Sequence, residues 1–181
     1  MCRVLLSLIS IIYCSFSFAK NIYQIDLILF AHPQSANELQ DLPTPLVPID
    51  NKALVLNNSS QKTEKLYTLL PPSQSGLADE YYLLNRKSKF RVLGQYTWRQ
   101  TSTKQNTVAL PRASNKGWLM QGTLNIQQGS YYLFNADLQF SPPSNPTAAF
   151  TVSQKQRIEE GKVYYLDNPY VGMVVKIHRI T

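Results

Sequence analysis

After position 14 the sequence contains no cysteine, and Cys2 and Cys14 both fall in its first nineteen residues. A chain that loses that segment has no disulfide, no thiolate metal site and no thiol nucleophile. Histidine is almost as scarce: His32 and His178 are the two, far apart, so no multi-histidine metal site can be assembled from sequence-local ligands. No glycine-rich phosphate loop occurs, and no serine sits in a G-x-S-x-G frame. Beyond the N-terminus no apolar run approaches the roughly 20 residues of a transmembrane helix. With 181 residues, 44% of them apolar and only 16% charged, the chain has enough to bury a core and is not a charged disordered tail.

The N-terminal segment carries its own signal. Arg3 precedes the apolar stretch Val4 to Tyr13, and Ser17-Phe18-Ala19 places small residues at the two positions a signal peptidase reads. Residues 1–19 are therefore expected to be a secretory signal peptide, leaving residues 20–181 as one exported domain. Tyr13, where a lipobox has a small residue, argues against lipidation of Cys14. Export without cysteine fits a bacterial periplasm, with no transmembrane anchor in the mature chain.

Residues 21–30 (NIYQIDLILF) are apolar on nearly every position, which predicts a strand buried on both faces and central in its sheet. A long Pro-punctuated excursion runs from Pro33 to Pro72, with one short helix expected around Thr63 to Leu70. Ser75 to Ser88 reads as the main helix. Ser75 is the candidate cap, Asp79 and Glu80 lie in the first turn, Arg86 and Lys87 in the last, and Leu77, Tyr81 and Leu84 recur at helical spacing. Phe90, Val92, Tyr96 and Trp98 then mark a strand. Trp118 to Ile126 and Tyr131 to Phe140 predict a hairpin, and Phe150 to Ile158 with Lys162 to Leu166 a second one around Glu159-Glu160-Gly161. Tyr170 to Ile180 closes the chain as a strand. The expected class is α+β, a mostly antiparallel sheet with one main helix packed on a face and a long Pro-rich loop after the first strand.

Charge is unevenly placed. Arg86, Lys87, Lys89, Arg91, Arg99, Lys104, Arg112 and Lys116 all fall between residues 81 and 136, a stretch without a single acid. Such a segment concentrates anionic partners, which outside the cytoplasm means stem-peptide carboxylates, lipid headgroups or acidic proteins rather than nucleic acid. Tyr96, Trp98, Trp118 and Tyr131-Tyr132 fall on neighbouring strands. Rings left accessible there, beside bases and amides, would suit a sugar polymer. The candidate ligand-contacting residues are thus Tyr96, Trp98, Arg99 and Trp118, with Arg86, Lys87, Lys89 and Arg91. Core packing and a solvated basic face are the competing explanations. Glycan hydrolysis would need two placed carboxylates, and the acids available, Asp137, Glu159, Glu160 and Asp167, include a pair beside a turn glycine where acids are usually solvated.

The block Arg157-Ile158-Glu159-Glu160-Gly161-Lys162-Val163-Tyr164-Tyr165-Leu166-Asp167-Asn168-Pro169-Tyr170-Val171-Gly172 resembles the terminal signature of the CsiV family of periplasmic peptidoglycan-binding proteins of gammaproteobacteria. The blocks NIYQIDLILF, FRVLGQYTWRQ, GTLNI and YYLFNADLQF occur in the family's order, and the loop from 31 to 75 is unmatched. Tyr164 and Asn168 stand where the family typically has His. The resemblance marks Arg157, Gly161, Tyr165, Leu166, Asp167, Pro169 and Gly172 as motif residues. It implies a non-enzymatic periplasmic factor, without cofactor or metal, that binds peptidoglycan and supports cell-wall assembly and cell shape, acting with an outer-membrane lipoprotein activator of a class A penicillin-binding protein. The alternative is a protein-docking scaffold of the envelope that never touches the wall.

Overall fold

The computed structural model describes residues 22–33, 52–58, 66–86, 89–101, 106–147 and 149–180. Its strands are β1 (Ile22–Ala31), β2 (Leu54–Val55), β3 (Asn57–Asn58), β4 (Thr68–Leu69), β5 (Arg91–Thr101), β6 (Val108–Asn115), β7 (Trp118–Gln128), β8 (Tyr132–Ser141), β9 (Phe150–Ile158), β10 (Val163–Asp167) and β11 (Val171–Ile180), with the helix α1 (Ala78–Arg86) between β4 and β5. The expected signal peptide, most of the Pro-rich loop, Lys87 and Lys104 lie outside the described residues.

β1 is central, as its apolar composition predicts. It pairs antiparallel with β11 on one side and β5 on the other, in a six-stranded sheet of order β10-β11-β1-β5-β4-β3. Nine of its ten residues are buried. The alternation of a strand sends Tyr23, Ile25, Leu27 and Leu29 to one face and Ile28 and Phe30 to the other, and each set has its own cover. The first joins Trp98, Met173, Val175 and Ile177 against Trp118, Leu124, Phe134, Leu138 and Phe140 of a second sheet. The second joins Leu77, Val92 and Val174 beneath Tyr81 and Leu84.

The second sheet has the order β2-β6-β7-β8-β9. The fold is therefore α+β and largely antiparallel with one helix on a face, but in two sheets rather than one. The apolar rows of β7 and β8 are the reason, since they need an apolar partner and the second face of β1's sheet supplies it. The β7–β8 hairpin forms as expected, in register from Leu119↔Ser141 to Gln128↔Tyr132.

Local expectations meet three corrections. Residues 66–70 form a turn and the short β4, not a helix, because the backbone N–H groups of Tyr67 and Leu70 donate to the β5 carbonyls of Arg99 (2.8 Å) and Thr97 (2.8 Å). β6 was not legible, since Pro111 interrupts it. The register shifts between Leu110 and Ala113, where a proline without an N–H can be accommodated. Finally, β9 and β10 are not a hairpin. β9 pairs with β8 in one sheet and β10 with β11 in the other, so the turn between them carries the chain across the core. Gly161 (φ 75°) makes that crossing in a conformation side-chain-bearing residues rarely adopt, and its N–H donates to the Ile177 carbonyl at 2.8 Å.

α1 begins three residues later than Ser75 suggested, because Ser75 Oγ accepts the Leu77 N–H (3.2 Å) in a turn preceding the helix. Asp79 and Glu80 occupy its first turn and Arg86 its last, the arrangement a helix dipole favours.

Candidate functional site

The aromatic residues expected to face a ligand are in the core. Trp98 and Trp118 are 0% and 1% exposed and Tyr96 is 6% exposed. Trp98 Nε1 donates to Gln100 Oε1 at 3.0 Å, and Trp118 meets Phe150 edge to face. The Tyr96 hydroxyl donates to Met120 Sδ at 3.7 Å, and burial pushes its pKa up to about 12. Tyr132 is also sealed, and Tyr131 is the one ring of the five with substantial exposure. The expectation of accessible rings assumed a single sheet; the second sheet closes over the inward positions on which they fall.

Nor do the bases among the described residues form one patch. Arg86 lies over the Tyr82 ring at 4.9 Å near the end of α1, and Lys89 and Arg91 are exposed just beyond it. Arg99 is eight residues further along β5, roughly 26 Å away at strand rise, half-buried and donating through Nε to Gln24 Oε1 at 3.4 Å. Arg112 and Lys116 belong to β6 and its turn in the other sheet. Trp98 and Arg99 point to opposite faces of β5, so no groove is shared among Trp98, Arg99 and Trp118.

Most of the C-terminal motif shapes the β10–β11 hairpin. Leu166 enters the main core. Asp167 Oδ1 lies 2.9 Å from His32 Nε2, accepts the Asn168 N–H at 3.0 Å and faces the Tyr165 hydroxyl at 3.4 Å. The exposed Tyr165 ring stacks on Phe30 at 5.6 Å, and Pro169 is exposed in the turn. Gly172 pairs with Phe30 across β1 and β11, and a Cβ there would come within 2.1 Å of the ring, so only glycine lets Phe30 lie across the strand. The two departures from the family pattern serve local turns: Tyr164 Oη accepts the Glu159 N–H at 3.1 Å, and Asn168 Oδ1 accepts the Tyr170 N–H at 3.2 Å. Glu159 pairs with Lys162 at 2.6 Å, and that hydrogen bond holds its carboxyl below the ordinary range. A glycosidase acid is tuned in the opposite direction.

Arg157 is different, because it stands on the outward face of the second sheet. Outward positions there are Gln121, Thr123, Asn125 and Gln127 on β7, Leu133, Asn135, Asp137 and Gln139 on β8, and Thr151, Ser153, Lys155 and Arg157 on β9. Strand register sets them in cross-strand rows: Gln121-Gln139-Thr151, Thr123-Asp137-Ser153, Asn125-Asn135-Lys155 and Gln127-Leu133-Arg157. All four β9 members are exposed and most of the others half-exposed. Gln121 Nε2 donates to Gln139 Oε1 at 3.0 Å, Asn125 Nδ2 to Thr107 Oγ1 at 3.4 Å, and the Arg157 guanidinium lies over Tyr131 at 4.7 Å. Two depressions lie along these rows. One of about 450 Å³ is lined by Asn125, Asn135, Asp137, Ser153, Gln154 and Lys155. The other, of about 230 Å³, is lined by Gln127 to Tyr131 and Leu133. The apolar positions of these strands drew the sequence reading, and the amides and hydroxyls alternating with them, visible in the same period of two, make up this outward face.

Among the described residues no cluster of His, Cys, Asp or Glu could hold a metal ion, and no helix is long and apolar enough to cross a membrane. Fold and surface together define a two-sheet α+β protein that presents a hydrogen-bonding sheet face to solvent. A family model described as "Peptidoglycan-binding protein, CsiV" matches residues 2–180, and the chain belongs to that family. Membership of a peptidoglycan-binding family implies the cell envelope. No curated protein and no solved structure matches the chain.

Proposed function

We propose that this protein is a non-enzymatic peptidoglycan-binding protein of the periplasm. In this reading it is exported by a signal at residues 1–19 and supports cell-wall assembly and cell shape by acting with an outer-membrane lipoprotein activator of a class A penicillin-binding protein. The family match over 2–180 carries the reading. The physical support is an open polar face with cations on its β9 side, where a hydrated polyanionic polymer can be held through hydrogen bonds and charge. Trp98, Trp118 and Tyr96 serve it from the core, as the packing that keeps the two sheets in register.

The mature chain is expected to sediment with purified sacculi at low salt and to be progressively released as salt screens the cationic share of the contact. Soluble fragments should not appear in the supernatant. Absence of co-sedimentation at low salt would overturn the reading.

A further inference from the structure

We infer that the outward face of β7, β8 and β9 is the surface on which the peptidoglycan lies, with its neutral amide and hydroxyl groups over the central rows and a stem-peptide carboxylate at Lys155 and Arg157. This rests on the function proposed above and adds where and how the polymer is read.

The chemistry of the rows sets the occupant. A primary amide offers both donors and acceptors and a hydroxyl offers both roles. Gln139, Asn135, Thr123, Thr151 and Ser153 therefore present mixed donor and acceptor groups, which suit the N-acetyl, hydroxyl and peptide groups of a wall polymer, with the buried Gln121 bracing Gln139 from below. The Gln121–Gln139 hydrogen bond already orders part of that surface, which lowers the ordering cost of binding.

Charge gives the face a direction. Asp137 stands on the middle strand, opposite Ser153, while Lys155 and Arg157 stand two residues apart on β9, the strand at the sheet's edge. A carboxylate is repelled from the centre and drawn to that edge. The two cations project from the same face about 7 Å apart along the strand. The Arg157 guanidinium lies 4.7 Å from the Tyr131 ring centre, a cation–π contact that restricts an otherwise long and flexible side chain. The larger depression reaches that edge at Ser153, Gln154 and Lys155, and the smaller one lies at the β7–β8 turn beside Tyr131, the ring under Arg157.

The test measures sedimentation of the mature chain with sacculi, and with glycan strands from which amidase has removed the stem peptides. Three variants are compared, each first shown to melt as the wild type does: Lys155→Glu with Arg157→Glu, Asn135→Ala with Thr123→Ala, and Arg86→Glu with Lys89→Glu. The Lys155/Arg157 pair should lose about tenfold or more in affinity for sacculi, as expected for lost charge-assisted hydrogen bonds, and clearly less on stripped glycan, where the lactyl carboxylates left by the amidase are the only anions. The Asn135/Thr123 pair should be weakened on both. The Arg86/Lys89 pair should change by less than about threefold, because its charges act only through screened solvent. Lys155→Gln with Arg157→Gln replaces the first pair if the charge reversal disturbs folding.

If wild type sediments and both face variants sediment equally well, the inference fails while the proposed function stands. It fails in the same way if only the Arg86/Lys89 pair is impaired, or if the face variants keep the wall and lose capture of an envelope protein. If wild type itself does not sediment, the proposed function fails first.

Discussion

Trp98→Ala is expected to lower the free energy of unfolding by about 3–5 kcal/mol, the range for deleting a large buried aromatic side chain. Trp98 has no exposed surface, its indole N–H is satisfied by Gln100, and it packs in the cluster that joins the two sheets. Removal leaves a cavity bounded by β-sheet backbone, which relaxes little, and leaves the Gln100 carbonyl oxygen without its donor. At 2–4 °C per kcal/mol for a chain of this size, the melting temperature should fall by roughly 6–20 °C. The discriminating measurement sets urea unfolding beside sacculus sedimentation corrected for the folded fraction. A core role predicts a large loss of stability with binding per folded molecule preserved. A variant as stable as wild type that no longer binds would restore Trp98 to a ligand platform.

Asp26→Ala should cost a comparable amount, about 3–5 kcal/mol, by removing the carboxyl acceptor at the centre of a buried polar cluster. Asp26 is fully buried in the middle of β1, on the face covered by residues 74–78 and α1. Its Oδ1 accepts from Thr97 Oγ1 at 2.9 Å and from Gln24 Nε2 at 3.2 Å. Oδ2 lies 3.6 Å from His178 Nδ1, and Lys176 is its direct partner on β11. The same groups hold the segment before α1: Gln24 Nε2 donates to the Gln74 carbonyl at 2.8 Å and Lys176 Nζ to the Gly76 carbonyl at 3.2 Å. Losing the carboxylate strands the Thr97 hydroxyl, leaves the Gln24 amide N–H2 only its bond to the Gln74 carbonyl, and loosens the helix dock. Asp26→Asn, which keeps an acceptor and the volume, should cost less than half as much. Chemical denaturation of both variants, with amide exchange over residues 74–86, measures the two consequences. Equal stability of Asp26→Ala and wild type would show that the cluster is not coupled to the fold.

Both residues illustrate what the sequence made legible. NIYQIDLILF marked a central strand because both of its faces are apolar, and Asp26, its one charge, was visible as an exception whose partners were not. Those partners come from β5, β11 and the segment before α1, and only pairing brings them together. Ser75, Asp79, Glu80 and Arg86 located the helix because capping and dipole effects are local. The β9–β10 crossing was hidden because a turn glycine between two alternating runs reads the same whether the second run returns to its own sheet or crosses to another. The same missing layer hid where the rings go: with one sheet, Trp98 and Trp118 could face outward, and with two they cannot. Arg157, singled out only by resemblance, is the motif residue that the fold places on the open polar face.

The most direct measurement of that face is a backbone amide spectrum of the mature chain titrated with soluble muropeptides. Shifts concentrated at Gln121, Thr123, Asn125, Asn135, Asp137, Ser153, Lys155 and Arg157, with α1 and the β10–β11 turn unmoved, are the result predicted. Saturable shifts confined to α1 and the start of β5, with β7 to β9 silent, would contradict it.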